Sequence, residues 1–279
     1  MLVNLRTALA RAPVCFGFNV TSLEILDALV SVGEASPAAT ILQMTDRYID
    51  HFGEPLIRQW IRPRLAASPQ AFVLHLDHGV SIGTIDRALR LGFTSVMYDG
   101  SRLALADNIA QTRLAAEKAR HVNASLEAEV GHVGGQEDGA AAEDSWLTTV
   151  EEARAFAAGV QVDALAISVG TAHGGRPGNL SPNLRVDRIR DIAAAVRVPL
   201  VLHGGSGVSP ALLQRAIEAG IRKVNIGTEL KRAWAESFPA ALRETREPWQ
   251  VRDLVVVRLM AVIRHFGRIT RTGEESQPP

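Results

Sequence analysis

Short apolar runs and amphipathic stretches alternate along almost the whole chain. The runs occupy residues 14–20, 40–44, 71–76, 95–98, 124–130, 164–169, 200–203 and 223–226, each of strand length. Between them, residues 22–32, 82–91, 107–121, 186–196 and 210–219 carry apolar side chains at helical spacing. Ser22, Ser81 and Ser209 stand where N-caps belong, the last followed by Pro210 at the first helical position; Gly92 and Gly220 follow two helices where a left-handed cap is wanted. Strand then helix, eight times over, predicts an α/β fold whose parallel sheet closes into a (β/α)8 TIM barrel, and 279 residues is a suitable length for one. With no Pro-, Gly- or Ser-rich linker to divide the chain, the pattern predicts a single domain over residues 1–270 and a frayed tail over 271–279.

Two stretches break the repeat: GHVGGQEDGAAAEDS (131–145) and HGGRPGNLSPN (173–183). Both follow strands, which places them as long loops at the C-terminal end of the barrel, where active sites of this fold are built. They are candidate lids.

Charge and composition narrow the chemistry. Thirty basic residues balance thirty acidic ones, so no field draws in a polyanion and nucleic acid is not an expected partner. At 47% hydrophobic and 22% charged, the chain has enough apolar surface to fold, but no apolar run approaches the ~18 residues of a membrane span. The first residues lack the uninterrupted apolar centre of a secretory signal, which predicts a cytoplasmic protein. Cys15 is the sole cysteine, so any metal must rest on histidines and carboxylates. Only three lysines occur, Lys118, Lys223 and Lys231, which leaves few amines for covalent imine chemistry.

Polar residues gather where the strands end. The third run leads into LHLDHG, with His75, Asp77 and His78; the fifth, SLEAEVG, carries Glu127 and Glu129 two apart and therefore on one face. The sixth leads to GTAHGG with His173, the seventh to HGGSGV with His203, and the eighth, KVNIGTE, offers Asn225 and Thr228. In a barrel these ends converge, so His78, His173 and His203 can meet although they lie far apart in sequence. Three neutral imidazoles with an open position make a catalytic zinc site. His51, His121, His132 and His265 read as surface or loop residues, and His75 as a neighbour sharing the face of Asp77. HGGSGV precedes a helix and follows the seventh strand, where barrels commonly bind phosphate through backbone N–H groups; NIGT supplies the other half of such a cradle.

The motifs LHLDHG, VMYDGS, EAEVGHVGGQED, AISVGTAHG, PLVLHGGSGV and KVNIGTE, in this order and spacing, resemble the class II, metal-dependent fructose-bisphosphate aldolases, including their tagatose-bisphosphate branch. The similarity runs from FNVTSLE to the C-terminal helix ending in HFG, nearly the whole chain. It implies Zn2+ or another divalent cation on His78, His173 and His203, with Glu129 or Asp99 near a second or alternative metal position, and a monovalent cation as a further ion. It implies Asp77 as the acid/base that exchanges a proton with the C4 hydroxyl of the ketose, and Glu137 as the carboxylate that shuttles a proton at the donor carbon. Asn225 matches an amide that steadies the intermediate, while Gly174, Gly204, Ser206 and Thr228 match positions that bind the phosphate of dihydroxyacetone phosphate. The activity so implied is reversible cleavage of a phosphorylated ketose, such as fructose or tagatose 1,6-bisphosphate, in carbohydrate metabolism, by a homodimer or homotetramer. This sequence departs from part of the family at Gly227, where some fructose-type members have an acid and tagatose-type relatives a small residue, and in the 173–183 loop, which lacks the family's Tyr-Lys and has Arg176 as the nearest basic substitute. Two other readings stand beside it: Schiff-base catalysis through Lys223, and a catalytically silent sugar-phosphate-binding barrel.

Overall fold

A computed structural model describes residues 1–135, 146–174 and 183–269. The eight apolar runs all form strands: Cys15–Asn19 (β1), Thr40–Met44 (β2), Phe72–Gly79 (β3), Ser95–Tyr98 (β4), Ser125–Val130 (β5), Ala164–Ile167 (β6), Leu200–Leu202 (β7) and Ile221–Ile226 (β8). They are parallel, pair in sequence order and close into a barrel through β1 and β8.

A helix that the periodicity did not predict, Leu5–Arg11 (α1), precedes β1. Leu23–Glu34 (α2) follows it, and a broken helical stretch joins β2 to β3: Asp46–Phe52 (α3), Glu54–Leu56 (α4), a π turn at Ile57–Ile61 and Arg62–Ala67 (α5). The remaining crossovers are Ile82–Leu91 (α6), Leu105–His121 (α7), Val150–Gly159 (α8), Val186–Ala195 (α9) and Pro210–Glu218 (α10), with Thr228–Glu244 (α11) and Pro248–Ile269 (α12) after β8. The caps work as expected: the hydroxyls of Ser22, Ser81 and Ser209 accept from Ile25, Thr84 and Leu212 N–H, and Gly92 ends α6 in the left-handed region at φ 85°. Thr149 and Glu152 add a reciprocal capping box on α8. No helix among the described residues is long and apolar enough to cross a membrane. The expected tail at 271–279 and most of both predicted loops, with Glu137 and Arg176, lie outside the described residues.

Alternation along the strands sends half of their side chains to the surrounding helices and half into the barrel. The outward set, including Leu74, Leu76, Leu126, Val224 and Ile226, joins the main apolar core beneath the helices. The inward set changes character from one end to the other. At the N-terminal end Cys15, Ile41, Val73, Met97, Ala164, Ala166 and Val201 pack against Leu5, Ala8 and Leu9 of α1, which plugs the barrel. Above this apolar floor lie His75, Ser95, Glu127 and Lys223, and at the C-terminal mouth Asn19, Gln43, Asp77, Glu129 and Asn225, all buried.

Candidate metal and substrate site

Asp77 and His78 are adjacent, so a regular strand would send them to opposite faces. The backbone of β3 prevents this. Its pairing with β4 slips between Leu76 and Gly79, and His78 adopts φ 49°, a left-handed conformation uncommon for a residue with a side chain. Asp77 enters the barrel mouth by the alternation that also turns Val73 and His75 inward, and the bulge swings His78 to the same rim. Strain stored in this way collects at functional sites.

His78, His173 and His203 present ring nitrogens that all lie within 4.8 Å of one another. His78 Nδ1 is 2.7 Å from Asp99 Oδ2, and His203 Nε2 is 3.0 Å from Glu127 Oε1. Carboxylates only accept hydrogen bonds, so each ring donates through that nitrogen and keeps a lone pair on the other. Burial alone would raise the Asp99 carboxyl, but hydrogen bonds from His78 and Ser101 outweigh it and hold the group well below the usual range. Burial would raise Glu127 too, and the ammonium of Lys223 with the His203 hydrogen bond brings it down. Burial lowers His203, against the pull of Glu127, which favours a neutral ring. The two lone-pair nitrogens, His78 Nε2 and His203 Nδ1, face each other at 3.0 Å. Two acceptors so placed repel unless a proton or a metal ion lies between them, and His173, 5.1 Å from His78 ring to ring, brings the third imidazole. The donor set and its hydrogen bonding therefore fit a divalent ion such as zinc.

Glu129 Oε2 lies 3.8 Å from His78 Nδ1 and 4.0 Å from His203 Nδ1, while Glu129 Oε1 accepts from Val133 N–H. His78, Asp99 and Glu129 thus form a second possible ligand group. Both carboxylates approach the ring at Nδ1, the nitrogen hydrogen-bonded to Asp99, whereas Nε2 faces His203.

Beside the imidazoles, Asp77 is almost wholly buried under three amides. Asn19 Nδ2 (2.9 Å) and Gln43 Nε2 (3.2 Å) donate to Oδ2, and Asn225 Nδ2 (3.2 Å) donates to Oδ1. Asn19 and Gln43 are register partners on β1 and β2, and Gln43 also donates to Asn19 Oδ1. Gly17 makes room for this cage, since a Cβ there would stand 2.2 Å from Gln43 Oε1. Among the described residues, the buried amide oxygens of Gln43 and Asn225 accept no hydrogen bond.

Asp77 and Asn225 also line a narrow recess with His173, Gly174, Gly204, Ser206, Thr228 and Lys231. The N-terminus of the 17-residue helix α11 opens onto it. Ser206 Oγ accepts from Gly227 N–H at 3.1 Å, tying the β7 loop to that helix. Gly204, at φ 63°, passes so close to the β6 loop that a Cβ would meet Ala172 O at 2.7 Å. On the other side of the imidazoles, a wider cleft of about 880 Å³ holds Arg47, Arg102, Asp99 and His132.

The structure brings together His78, His173, His203, Glu129, Asp99, Asp77 and Asn225 at one mouth, with Gly174, Gly204, Ser206 and Thr228 in the adjoining recess. Glu137 lies outside the described residues. The surface placement expected for His132 is corrected: the ring is buried, bonded to Ser101 Oγ at 3.0 Å and tilted over Trp146, because residues 132 and 146 pair as an antiparallel bridge. Sequence reasoning missed Asn19, Gln43 and Lys231. The signal was a lone amide near the end of two otherwise apolar strands, CFGFN and TILQM, and a lysine one helical turn after Thr228.

Comparison with known proteins gives one answer. Residues 4–271 match the family model described as fructose-bisphosphate aldolase class-II. The 6-phospho-5-dehydro-2-deoxy-D-gluconate aldolase of Shouchella clausii is 37% identical over 269 residues, covering 92% of this chain and 90% of the relative. The sulfofructosephosphate aldolase of Alkalicoccus urumqiensis is 33% identical over 259 residues, covering 90% of each. The crystal structure of the YdjI aldolase from Escherichia coli K12 superposes with a TM-score of 0.82 at 26% identity, over 96% of this chain and 98% of that one. With the family model spanning nearly the full length and aldolases matching end to end, the chain belongs to the class-II fructose-bisphosphate aldolase family and is a carbon–carbon lyase acting on a phosphorylated sugar.

Proposed function

We propose that this enzyme uses a divalent cation on His78, His173 and His203 to cleave a ketose phosphate reversibly into dihydroxyacetone phosphate and an aldehyde that carries a second anionic group. The observation that carries the reading is the pair of lone-pair nitrogens facing each other at 3.0 Å. When bound, the cation supplies the Lewis acidity that stabilises the negative charge left on the donor fragment as the carbon–carbon bond breaks.

Asp77 accepts the proton of the hydroxyl next to the breaking bond and returns it in the condensation direction. Its amide cage holds the carboxylate still, and Asn225, which donates to Asp77 and lines the recess, is the amide that steadies the intermediate. The donor phosphate sits in the recess, on the backbone N–H groups of Gly174 and Gly204, the hydroxyls of Ser206 and Thr228, and the Lys231 ammonium. Glu137, on the 131–145 loop, stays the proposed carrier of the proton at the donor carbon.

The relatives' names denote sugar phosphates with a sulfonate or a carboxylate as a second anion. Arg47 and Arg102, in the wide cleft beside His78, suit such a group at the far end of the substrate. The Schiff-base alternative is less well supported, because Lys223 Nζ is wholly buried in an ion pair with Glu127 at 2.8 Å. A chelator-stripped sample should lose ketose-phosphate cleavage in a coupled assay and regain it with zinc, cobalt or manganese while its far-UV spectrum stays unchanged. Full turnover by the metal-free protein refutes the proposal, and binding without turnover in metal-loaded protein favours the silent-barrel reading.

A further inference from the structure

Beneath the imidazoles lies a polar group that the proposed chemistry does not use. Glu127, Lys223, His75 and Ser95 are all buried to the last atom of accessible surface, in the middle of the barrel. Glu127 divides its two oxygens: Oε1 meets His203 Nε2 at 3.0 Å, and Oε2 meets Lys223 Nζ at 2.8 Å. Lys223 Nζ lies 3.5 Å from His75 Nε2, and His75 Nδ1 lies 2.8 Å from Ser95 Oγ.

A buried ion pair of this kind is a poor device for stability, since apolar side chains of similar size usually serve as well or better. Its geometry has a direction, however. The chain of contacts runs from Ser95 up through His75, Lys223 and Glu127 and ends on one atom of one imidazole. We propose that Lys223 and Glu127 are positioning residues that fix the tautomer and ring orientation of His203, so that Nδ1 and not Nε2 faces the imidazole cluster. Glu127 takes the proton-bearing nitrogen, and Lys223 occupies the second oxygen so that the carboxylate neither rotates nor turns to another donor. The inference rests on the metal reading above and assigns to Lys223 a role other than nucleophile.

Substitution logic follows from counting acceptors. Glutamate offers one oxygen to each neighbour; glutamine has a single oxygen, so Glu127→Gln leaves the Lys223 ammonium or the His203 N–H facing an NH2 group. Lys223→Met leaves the Glu127 carboxylate buried without its cation. Combining the two removes the conflict. The amide oxygen accepts from His203, and the NH2 takes the place of Oε2, 3.7 Å from His75 Nε2, which can accept.

The test is Co2+ affinity, by competition with a chelator, and the visible spectrum of the cobalt-loaded wild type, Glu127→Gln, Lys223→Met and the double variant. Each single variant should bind cobalt about 10–100-fold more weakly and shift the ligand-field bands, as expected when a ligand histidine loses its hydrogen-bonding partner. The double variant should bind at least tenfold more tightly than the weaker single. Unchanged affinity and spectrum in Glu127→Gln, or a double variant no better than the weaker single, overturns the proposal. Should either single variant fail to fold, nitrogen-15 NMR of histidine side chains in the zinc-loaded wild type decides it: His203 protonated at Nε2 is the expected result, and protonation at Nδ1 overturns it. A wild-type protein that binds no divalent cation fails the underlying metal reading instead.

Discussion

Replacing Asp77 with asparagine separates the chemistry of the site from its architecture. The carboxylate accepts from three amides, two on Oδ2 and one on Oδ1. In Asp77→Asn the remaining oxygen can stay where Asn19 and Gln43 converge, which sets the new NH2 against Asn225 Nδ2. Left so, one buried donor without a partner would cost about 1–3 kcal/mol. The structure provides a repair. The Asn225 amide oxygen accepts nothing among the described residues and faces Gly17 together with Gln43 Oε1, so turning the Asn225 amide over presents an oxygen to residue 77 and an NH2 toward Gln43. The expected stability loss is then below about 1 kcal/mol, a shift of roughly 2–4 °C in Tm for a chain of this size. Catalysis has no such repair, because an amide cannot take the hydroxyl proton. Losing a positioned general base costs about 10²–10⁴ in kcat, or about 3–5 kcal/mol of transition-state stabilisation. Thermal melting, metal content and kcat for ketose-phosphate cleavage, measured on one preparation, read all three quantities. Undiminished kcat, or loss of metal in step with activity, would refute the assignment of Asp77 as the base that stands apart from the ligands.

Two further substitutions probe the recess. Lys231→Met should raise KM for the phosphorylated substrate about tenfold, the equivalent of roughly 1.4 kcal/mol, with kcat changed far less; a fall in kcat at constant KM would place Lys231 in the reaction and not in phosphate binding. Gly204→Ala should cost about 2–3 kcal/mol, because alanine is disfavoured at φ 63° and its Cβ would press on the backbone oxygen of Ala172. The loop pushed aside carries His173, so divalent-metal affinity should drop in parallel, and a urea midpoint and cobalt affinity both equal to wild type would show that the contact between the two loops is dispensable.

Legibility of the site followed the physics of each element. Strand positions were readable because a barrel strand buried on both faces must be an apolar run of a few residues, and TILQM and SVMY form strands at the boundaries their hydropathy marks. Helices α1 and α3–α5 were not. α1 is a short segment whose apolar residues face the barrel floor instead of the helical ring, and the β2–β3 crossover is interrupted by Gly53 and a π turn, which destroys the regular period. The convergence of His78, His173 and His203 was readable because strand ends in a closed barrel share one rim. His132 misled for the opposite reason: its burial depends on Trp146, which covers it from the far end of a loop and leaves no trace in local periodicity.

Alternation along a strand predicts that Asp77 and His78 point apart, and at this one place the prediction fails where the chemistry needs it to. A left-handed residue inside a strand costs backbone energy that no residue type in LHLDHG announces, and the pairing slip between β3 and β4 accounts for Asp77 and His78, consecutive residues, reaching the same mouth. Lys223 poses the reverse problem. Its position two residues before Asn225 correctly places it inside the barrel, yet the amine meets a carboxylate first, a contact that supports a counter-ion over a nucleophile. The barrel is wide enough to hold side chains in stacked layers, so a polar residue one layer below the mouth can reach the mouth only through its neighbours. Glu127 is the neighbour that lies between Lys223 and His203, and both of its oxygens are engaged.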